Sequence, residues 1–377
     1  MIYLDHAATT PVHPRVAEAM HPYLTNVYGN PSSLHGFGRE ARMGLERARD
    51  RIAHILGAEP QTIVFTSGGT EADNMAIIGG AMAQQDRGRH VITSSVEHHA
   101  VLHACAHLEQ LGFEVTYLPV DETGMVSPEE LKQAVRPDTV LVSIMYGNNE
   151  VGTIQPIEEI GRFLRERNIV FHTDAVQAFG VMPLNVSELP VDMLSVSAHK
   201  INGPKGVGAL YLGRKVPIQP HLHGGKQERN RRGGTENLAG IVGFAEAAEI
   251  AAREMEERVA KYRQMREAML AVWREAGIAY HVNGHPERHL PHILNVSFPG
   301  VHTETMLMNL DLAGIAAASG SACTSGSLEL SHVLQAMCLD DPVMRSAVRF
   351  SFGITNTVEE VKQAAQTTAD IVKRVAR

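Results

Sequence analysis

Between residues 60 and 215 short apolar runs alternate with longer amphipathic stretches. That alternation restricts the chain more than any other feature. Strands interleaved with helices form a mainly parallel sheet covered on both faces. The predicted strands are 62–66, 90–93, 115–119, 140–145, 170–173, 193–196 and 209–212. The last follows its predecessor too closely for a helical crossover, so it is predicted to be antiparallel. One intervening helix opens at Ser127-Pro128-Glu129-Glu130, where a serine cap, a first-turn proline and a glutamate three residues on form a capping box. In such a sheet, loops at the carboxyl ends of the strands bind ligands.

Residues 251–275 read as one long, charged amphipathic helix connecting two units. A smaller α+β unit follows, with strands near 293–297 and 348–351 and a last helix capped by Thr357 and Glu360. A length of 377 residues agrees with two cores. The segment Ser319-Gly320-Ser321-Ala322-Cys323-Thr324-Ser325-Gly326-Ser327 buries little area and is predicted to be mobile.

Composition removes several function classes. The formal charge of −8, with basic residues clustered only at Arg229-Asn230-Arg231-Arg232, argues against direct nucleic-acid binding. Cys105, Cys323 and Cys338 are too few and scattered for a disulfide framework, and no zinc spacing appears, so no metal is expected. No leader pattern opens the sequence and no apolar run reaches membrane length, so the expected location is cytoplasmic, away from membranes. Cys105 lies in a helical pattern and Cys338 in the run Leu334-Gln335-Ala336-Met337-Cys338-Leu339, and both are predicted to be core. Cys323 lies in a polar glycine-serine segment, where an inert thiol is out of place.

Five predicted strand ends carry chemistry. After the fifth of them, Ser197-Ala198-His199-Lys200 places a lysine where it can form a Schiff base with an aldehyde. Taken alone, Lys200 is an ordinary surface lysine. Thr66-Ser67-Gly68-Gly69-Thr70-Glu71 joins a strand to a helix, a turn suited to an anion. Asp174 ends a strand with Gln177 three residues on, and a carboxylate beside a pyridine nitrogen favours the protonated ring. A strand-end aspartate is otherwise a helix cap. His98 follows another strand and can stack on a ring, or be one histidine among 20. Asn148-Asn149-Glu150 follows a further strand, where asparagine ordinarily serves a turn. Each signal is weak alone; five at the ligand-binding end of one sheet are hard to produce by chance.

Along essentially its whole length the chain resembles the class V, fold-type I pyridoxal-phosphate enzymes, and within them the cysteine desulfurases. The motifs, in order, are Tyr3-Leu4-Asp5-His6-Ala7-Ala8-Thr9-Thr10-Pro11, Gly29-Asn30-Pro31-Ser32-Ser33, Thr66 to Glu71, Glu97-His98 and Asn148-Asn149-Glu150-Val151-Gly152. They continue with Asp174-Ala175-Val176-Gln177, Ser197-Ala198-His199-Lys200, Gly203-Pro204-Lys205-Gly206 and Arg349-Phe350-Ser351. The segment around Cys323 is similar to the longer loop of the nitrogen-fixation and housekeeping iron–sulfur desulfurases. The sequence departs from the family at Lys226 and Asn230, where glycine is frequent, and at Gly233, where serine is frequent.

The resemblance implies an α/β, aspartate aminotransferase-like fold: a large domain with a mainly parallel sheet over 14–252, and a smaller α+β domain over 1–13 and 253–377. It implies pyridoxal 5'-phosphate held covalently by Lys200, with His98 stacked on the ring, Asp174 at the ring nitrogen and Gln177 at the ring hydroxyl. Gly69, Thr70, Ser197 and His199 would hold the phosphate, joined by Thr235 from the second subunit of a homodimer. Asn149 and Arg349 would bind the substrate carboxylate, and Asn149 would also meet the cofactor. The Cys323 thiolate would attack the sulfur of cofactor-bound L-cysteine, leaving L-alanine and a persulfide. Scaffold-using relatives often carry a longer C-terminal tail than Lys373-Arg374-Val375-Ala376-Arg377 provides. A transfer-RNA thiolation enzyme is therefore expected as sulfur acceptor at least as readily as an iron–sulfur cluster scaffold. Alternatives are another fold-type I enzyme (aminotransferase, selenocysteine lyase or kynureninase-like hydrolase) and a non-catalytic binding protein that keeps the fold. Cys323 separates the first group, since transamination needs no thiol; the set Lys200, Asp174 and His98 separates the second.

Overall fold

The computed structural model describes residues 1–320 and 330–375. After β1 (Ile2–Tyr3), the chain lays down β2 (Ile63–Thr66), β3 (His90–Ser94), β4 (Glu114–Leu118), β5 (Thr139–Ser143), β6 (Val170–Asp174), β7 (Met193–Ser197) and β8 (Gly208–Leu212). The last seven form one sheet in the order β2-β8-β7-β6-β5-β3-β4. β8 runs antiparallel to β7, as its short connection requires, and antiparallel to β2. The other pairs are parallel. β2, β3, β5, β6 and β7 therefore end at one edge.

Period-2 alternation sends neighbouring residues into two cores. Ile92, Val142, Phe171 and Leu194 join one, together with buried residues of the helices Gly36–Ile55 and Leu238–Arg253. Val91, Leu141, Val170 and Met193 join the other, beneath helical residues 69–82 and the helix His99–Gln110. A second unit holds β9 (His281–Asn283), β10 (Ile293–Ser297), β11 (Ile315–Ala316) and β12 (Ala347–Ser351). β12, β10 and β9 form an antiparallel sheet. Its core centres on Trp273, which donates to the Ala365 carbonyl at 3.0 Å and packs edge-on against Phe298. At the last helix, Thr357 and Glu360 cap each other's N–H groups at 2.9 and 3.1 Å.

The connector is not one helix over 251–275. Residues 251–253 finish the helix Leu238–Arg253, and a second helix, Met255–Ala276, starts after a break at Glu254. The first belongs to the large core and the second packs on Val358–Val375 in the smaller one. One straight rod does not serve both directions. Glu254 stabilises the break by accepting from Arg253 and Arg258, each at 3.0 Å. Cys105 is buried in the core as expected, but Cys338 is not. Leu334 and Met337 take the buried positions of that run, and Cys338 is turned outward at φ 53°.

Residues 2–13 tie the two units together. β1 pairs in parallel with β11. The Ala7 N–H donates to Ser351 Oγ at 2.8 Å, and Thr10 Oγ1 donates to the His199 carbonyl at 2.8 Å. A second feature is the run Glu228, Arg229 and Asn230, at φ 43°, 58° and 66°. Left-handed non-glycine residues cost about 1–3 kcal/mol each. Asparagine at position 230 tolerates the conformation better than most residues. Glu228 anchors the run: Arg49 grips its carboxylate with two bonds of 2.8 Å in the interior. Among the described residues no helix is long and apolar enough to cross a membrane.

Candidate active site

The strand ends and the second unit enclose a cavity of about 640 Å³. Gly69, Thr70, His98, Asn149, Asp174, Gln177, Ser197, His199, Lys200 and Arg349 all line it. Asp174 closes β6, and its Oδ1 accepts the Val176 N–H at 2.9 Å. Burial still pushes its pKa up to about 6. Lys200 ends a one-turn 3-10 helix after β7, and Nζ donates to the carbonyls of Ala7 and Ala8 at 2.5 and 2.8 Å. Burial, helped by the positive charge of Arg349, holds Lys200 down to about 8.

His98 caps the helix His99–Gln110: its Nδ1 accepts the Ala100 N–H at 3.1 Å. Burial, then Lys200, hold the imidazole near 4, so the ring is neutral with its proton on Nε2. At the far end stand Gly69, Thr70, Ser197 and His199. Ser197 Oγ is buried with no partner among the described residues, a donor aligned with an anion site. Glu71 in the adjoining helical turn is held by Arg232 at 2.8 Å, which offsets its charge there. A Cβ on Gly69 would stand 2.8 Å from Val176, so a side chain there would press on the Asp174–Gln177 turn.

Arg349 spends one N–H on the Asn149 carbonyl and one on Asp5, each at 2.8 Å. Its Nε is buried without a partner among the described residues, and the guanidinium keeps further donors for a carboxylate. Asn148, not Asn149, builds the turn, since its Oδ1 accepts the N–H groups of Glu150 and Val151 at 2.8 and 2.9 Å. Asn149 is thereby left to the cavity. Thr235 is not brought to this cavity within the chain; it lines a separate pocket with Ser67, Gly206 and Arg232. Cys323 lies outside the described residues. Ser319 and Gly320 before it and His332 after it line the cavity. Gly320, at φ 94°, stands where a Cβ would meet Glu150 Oε2 at 2.9 Å.

The sequence reading did not single out Asp5, Asp73, Glu150 or His332 as lining residues. Asp5 and Glu150 sat inside quoted motifs. His332 carried no local signal, because only tertiary packing brings it to the cavity.

A lysine, a carboxylate and a neutral imidazole at the strand ends of an α/β sheet mark a class, and the chain belongs to the class-V aminotransferase family, whose sequence model matches residues 2–364. Its fold is the fold-type I architecture expected above. Within that family it falls among the cysteine desulfurases. Cysteine desulfurase IscS of Dictyoglomus turgidum (strain DSM 6724 / Z-1310) is 49% identical over 374 residues, covering 99% of this chain and 94% of its own. A solved NifS-like protein superposes with TM-score 0.93 at 41% identity, covering 99% of both chains. SspA, solved in complex with cysteine, superposes with TM-score 0.82 at 37% identity, covering 93% of this chain and 99% of its own. The family's cofactor is pyridoxal 5'-phosphate. The cavity fits it: a buried hydroxyl with no partner among the described residues, a carboxylate for a pyridinium, and a lysine all line it.

Proposed function

We propose that the protein desulfurates L-cysteine to L-alanine and carries the sulfur as a persulfide on Cys323. The observation behind this reading is that the Lys200–Asp174 site opens between residues that flank the Cys323 segment on both sides. When bound, the cofactor supplies an electron sink for the substrate's α-carbon. Lys200 would hold it covalently and, when free of it, would stand as a nearby amine able to move a proton. Asp174 keeps the ring nitrogen protonated, since a carboxylate beside that nitrogen favours its charged form. His98 would cover the ring and offer its Nε2–H as a hydrogen-bond donor. Arg349 and Asn149 orient the substrate carboxylate, and Cys323 accepts the sulfur. A sulfide, alanine and persulfide assay with L-cysteine tests the reading. Alanine formed with no sulfur on any protein thiol would reject it.

Two measurements bear on individual groups. Arg349→Ala should weaken cysteine binding ten- to a hundredfold, because a charge-assisted pair contributes about 1.5–3 kcal/mol. An unchanged apparent KM would move the carboxylate elsewhere. Uptake of the aldehyde cofactor by the cofactor-free protein should also follow Lys200. Only the neutral amine attacks an aldehyde, and Lys200 loses its proton near pH 8. The uptake rate should thus fall below pH 8 and level off above it. Stopped-flow absorbance reads this, and a rate still climbing past pH 10 would contradict the lowered value.

The working unit in this reading is a homodimer. Tyr28 and Phe37 form an exposed aromatic pair, Leu34 nearby in sequence is exposed too, and Thr235 stands apart from the cavity it is expected to complete. Mixing the inactive variants Lys200→Ala and Thr235→Ala should restore part of the activity once subunit exchange is shown. No recovery would reject shared sites. We place the large domain at 14–252 and the smaller at 1–13 with 253–377, supported by the helix break at Glu254. The sulfur acceptor is another protein's cysteine, on a transfer-RNA thiolation enzyme or an iron–sulfur scaffold, and the setting is cytoplasmic.

A further inference from the structure

We infer that His292 is a positioning residue: its Nε2–H holds the side-chain amide of Gln177, so that Gln177 keeps a free amide N–H for the oxygen on the cofactor ring. This deepens the proposed function and rests on its placement of Gln177 at that oxygen.

The orientation of both groups follows from one acceptor. Gln177 Nε2 lies 2.9 Å from the Ala7 carbonyl oxygen, which only accepts. The amide nitrogen therefore faces Ala7 and Oε1 faces the other way. Oε1 stands 3.2 Å from His292 Nε2, so the imidazole carries its proton on Nε2. His292 Nδ1 is buried with no partner among the described residues, so a charged ring would leave a second N–H stranded. Lys200 and Arg349 add positive charge nearby, and neutral His6, Tyr262 and Arg258 share its small enclosed pocket. Burial first, then those charges, hold His292 near 3, which keeps one tautomer throughout the neutral range.

The hold prevents a specific error. Lys200 Nζ donates to the same Ala7 oxygen, at 2.5 Å. In the cofactor-free site the two groups thus share one acceptor, and an Oε1 released from His292 is free to turn toward that ammonium and misplace the amide N–H before the ring arrives. His292 is itself fixed from the second unit: its carbonyl accepts the Phe352 N–H at 2.9 Å. One hydrogen bond therefore lets the small sheet set the amide of a turn on the large one.

A donor at the ring oxygen draws off negative charge and lowers the proton affinity of the neighbouring lysine-linked nitrogen. His292→Leu should therefore raise the pH midpoint of the cofactor's visible band, by about half a unit or more. His292→Gln, which keeps an N–H, should restore it. Gln177→Leu should raise it as well, and the double variant should add nothing to Gln177→Leu alone. Histidine 15N NMR of the cofactor-free wild type should show His292 as the Nε2–H tautomer, without titration between pH 6 and 8. A shifted midpoint in Gln177→Leu beside an unchanged one in His292→Leu would overturn the positioning role and leave the cofactor reading standing. An Nδ1–H tautomer would also overturn it, whether or not the variants fold. A wild type that takes up no cofactor would reject both.

Discussion

Cys323→Ser should leave the purified protein coloured and able to bind cysteine, while sulfide release falls on the order of a thousandfold or more. Colour should survive because the proposed cofactor contacts, from Gly69 to Lys200, lie in the described cavity and none falls within 321–329. Sulfur transfer should not survive, because a serine hydroxyl is mostly protonated at neutral pH and attacks sulfur poorly, whereas a thiolate attacks it well. Cys105 does not substitute: it is buried, and burial pushes its thiol up to about 12. Cys338 is exposed but does not line the cavity. Mass spectrometry of the wild type after cysteine treatment should find the extra sulfur on the Cys323 peptide. Full sulfide release by the serine variant would end the persulfide route while leaving the cofactor chemistry intact.

Lys200→Ala should abolish covalent cofactor capture and lower turnover by about four orders of magnitude or more. Among the described residues no other lysine lines the cavity. The loss should be chemical and not a failure to fold. The contacts Nζ makes with Ala7 and Ala8 can be lost while Thr10 still binds both His199 and Asn202 and keeps residues 2–13 docked. Borohydride reduction of the wild type followed by peptide mapping should place the adduct on Lys200. An adduct on Lys205 would refute the assignment, and a melting curve for the alanine variant matching that of the cofactor-free wild type would confirm that only chemistry was lost.

Much of this site was legible because each strand end carries its own chemistry. β6 ends in Asp174, β7 runs into Lys200, and the glycine turn follows β2, so naming the strands nearly located the cavity. Even the reversed β8 was readable, from a connection too short for a helix. What escaped depends on packing between distant segments. Cys338 follows an apolar run, yet Leu334 and Met337 fill the space available and turn it outward. The break at Glu254 leaves no glycine or proline; it arises because two cores pull one amphipathic stretch in different directions. His292 reads as a residue before a strand, and its bond to Gln177 spans 115 positions.

The stitching of residues 2–13 has a consequence for the order of events in the cell. Asp5 finds Arg349, and Ala7 finds Ser351, each across 344 positions. Chain elongation at roughly 5–20 residues per second separates those partners by about 20 s to a minute. The large sheet has its sequence complete by Leu212, but the segment that receives Lys200 cannot yet dock on β11 and β12. Until then residues 2–13 are tied to the large unit only through contacts such as those of Thr10 with His199 and Asn202. Arg349, on β12, is thus the last described lining residue of the cavity to be made.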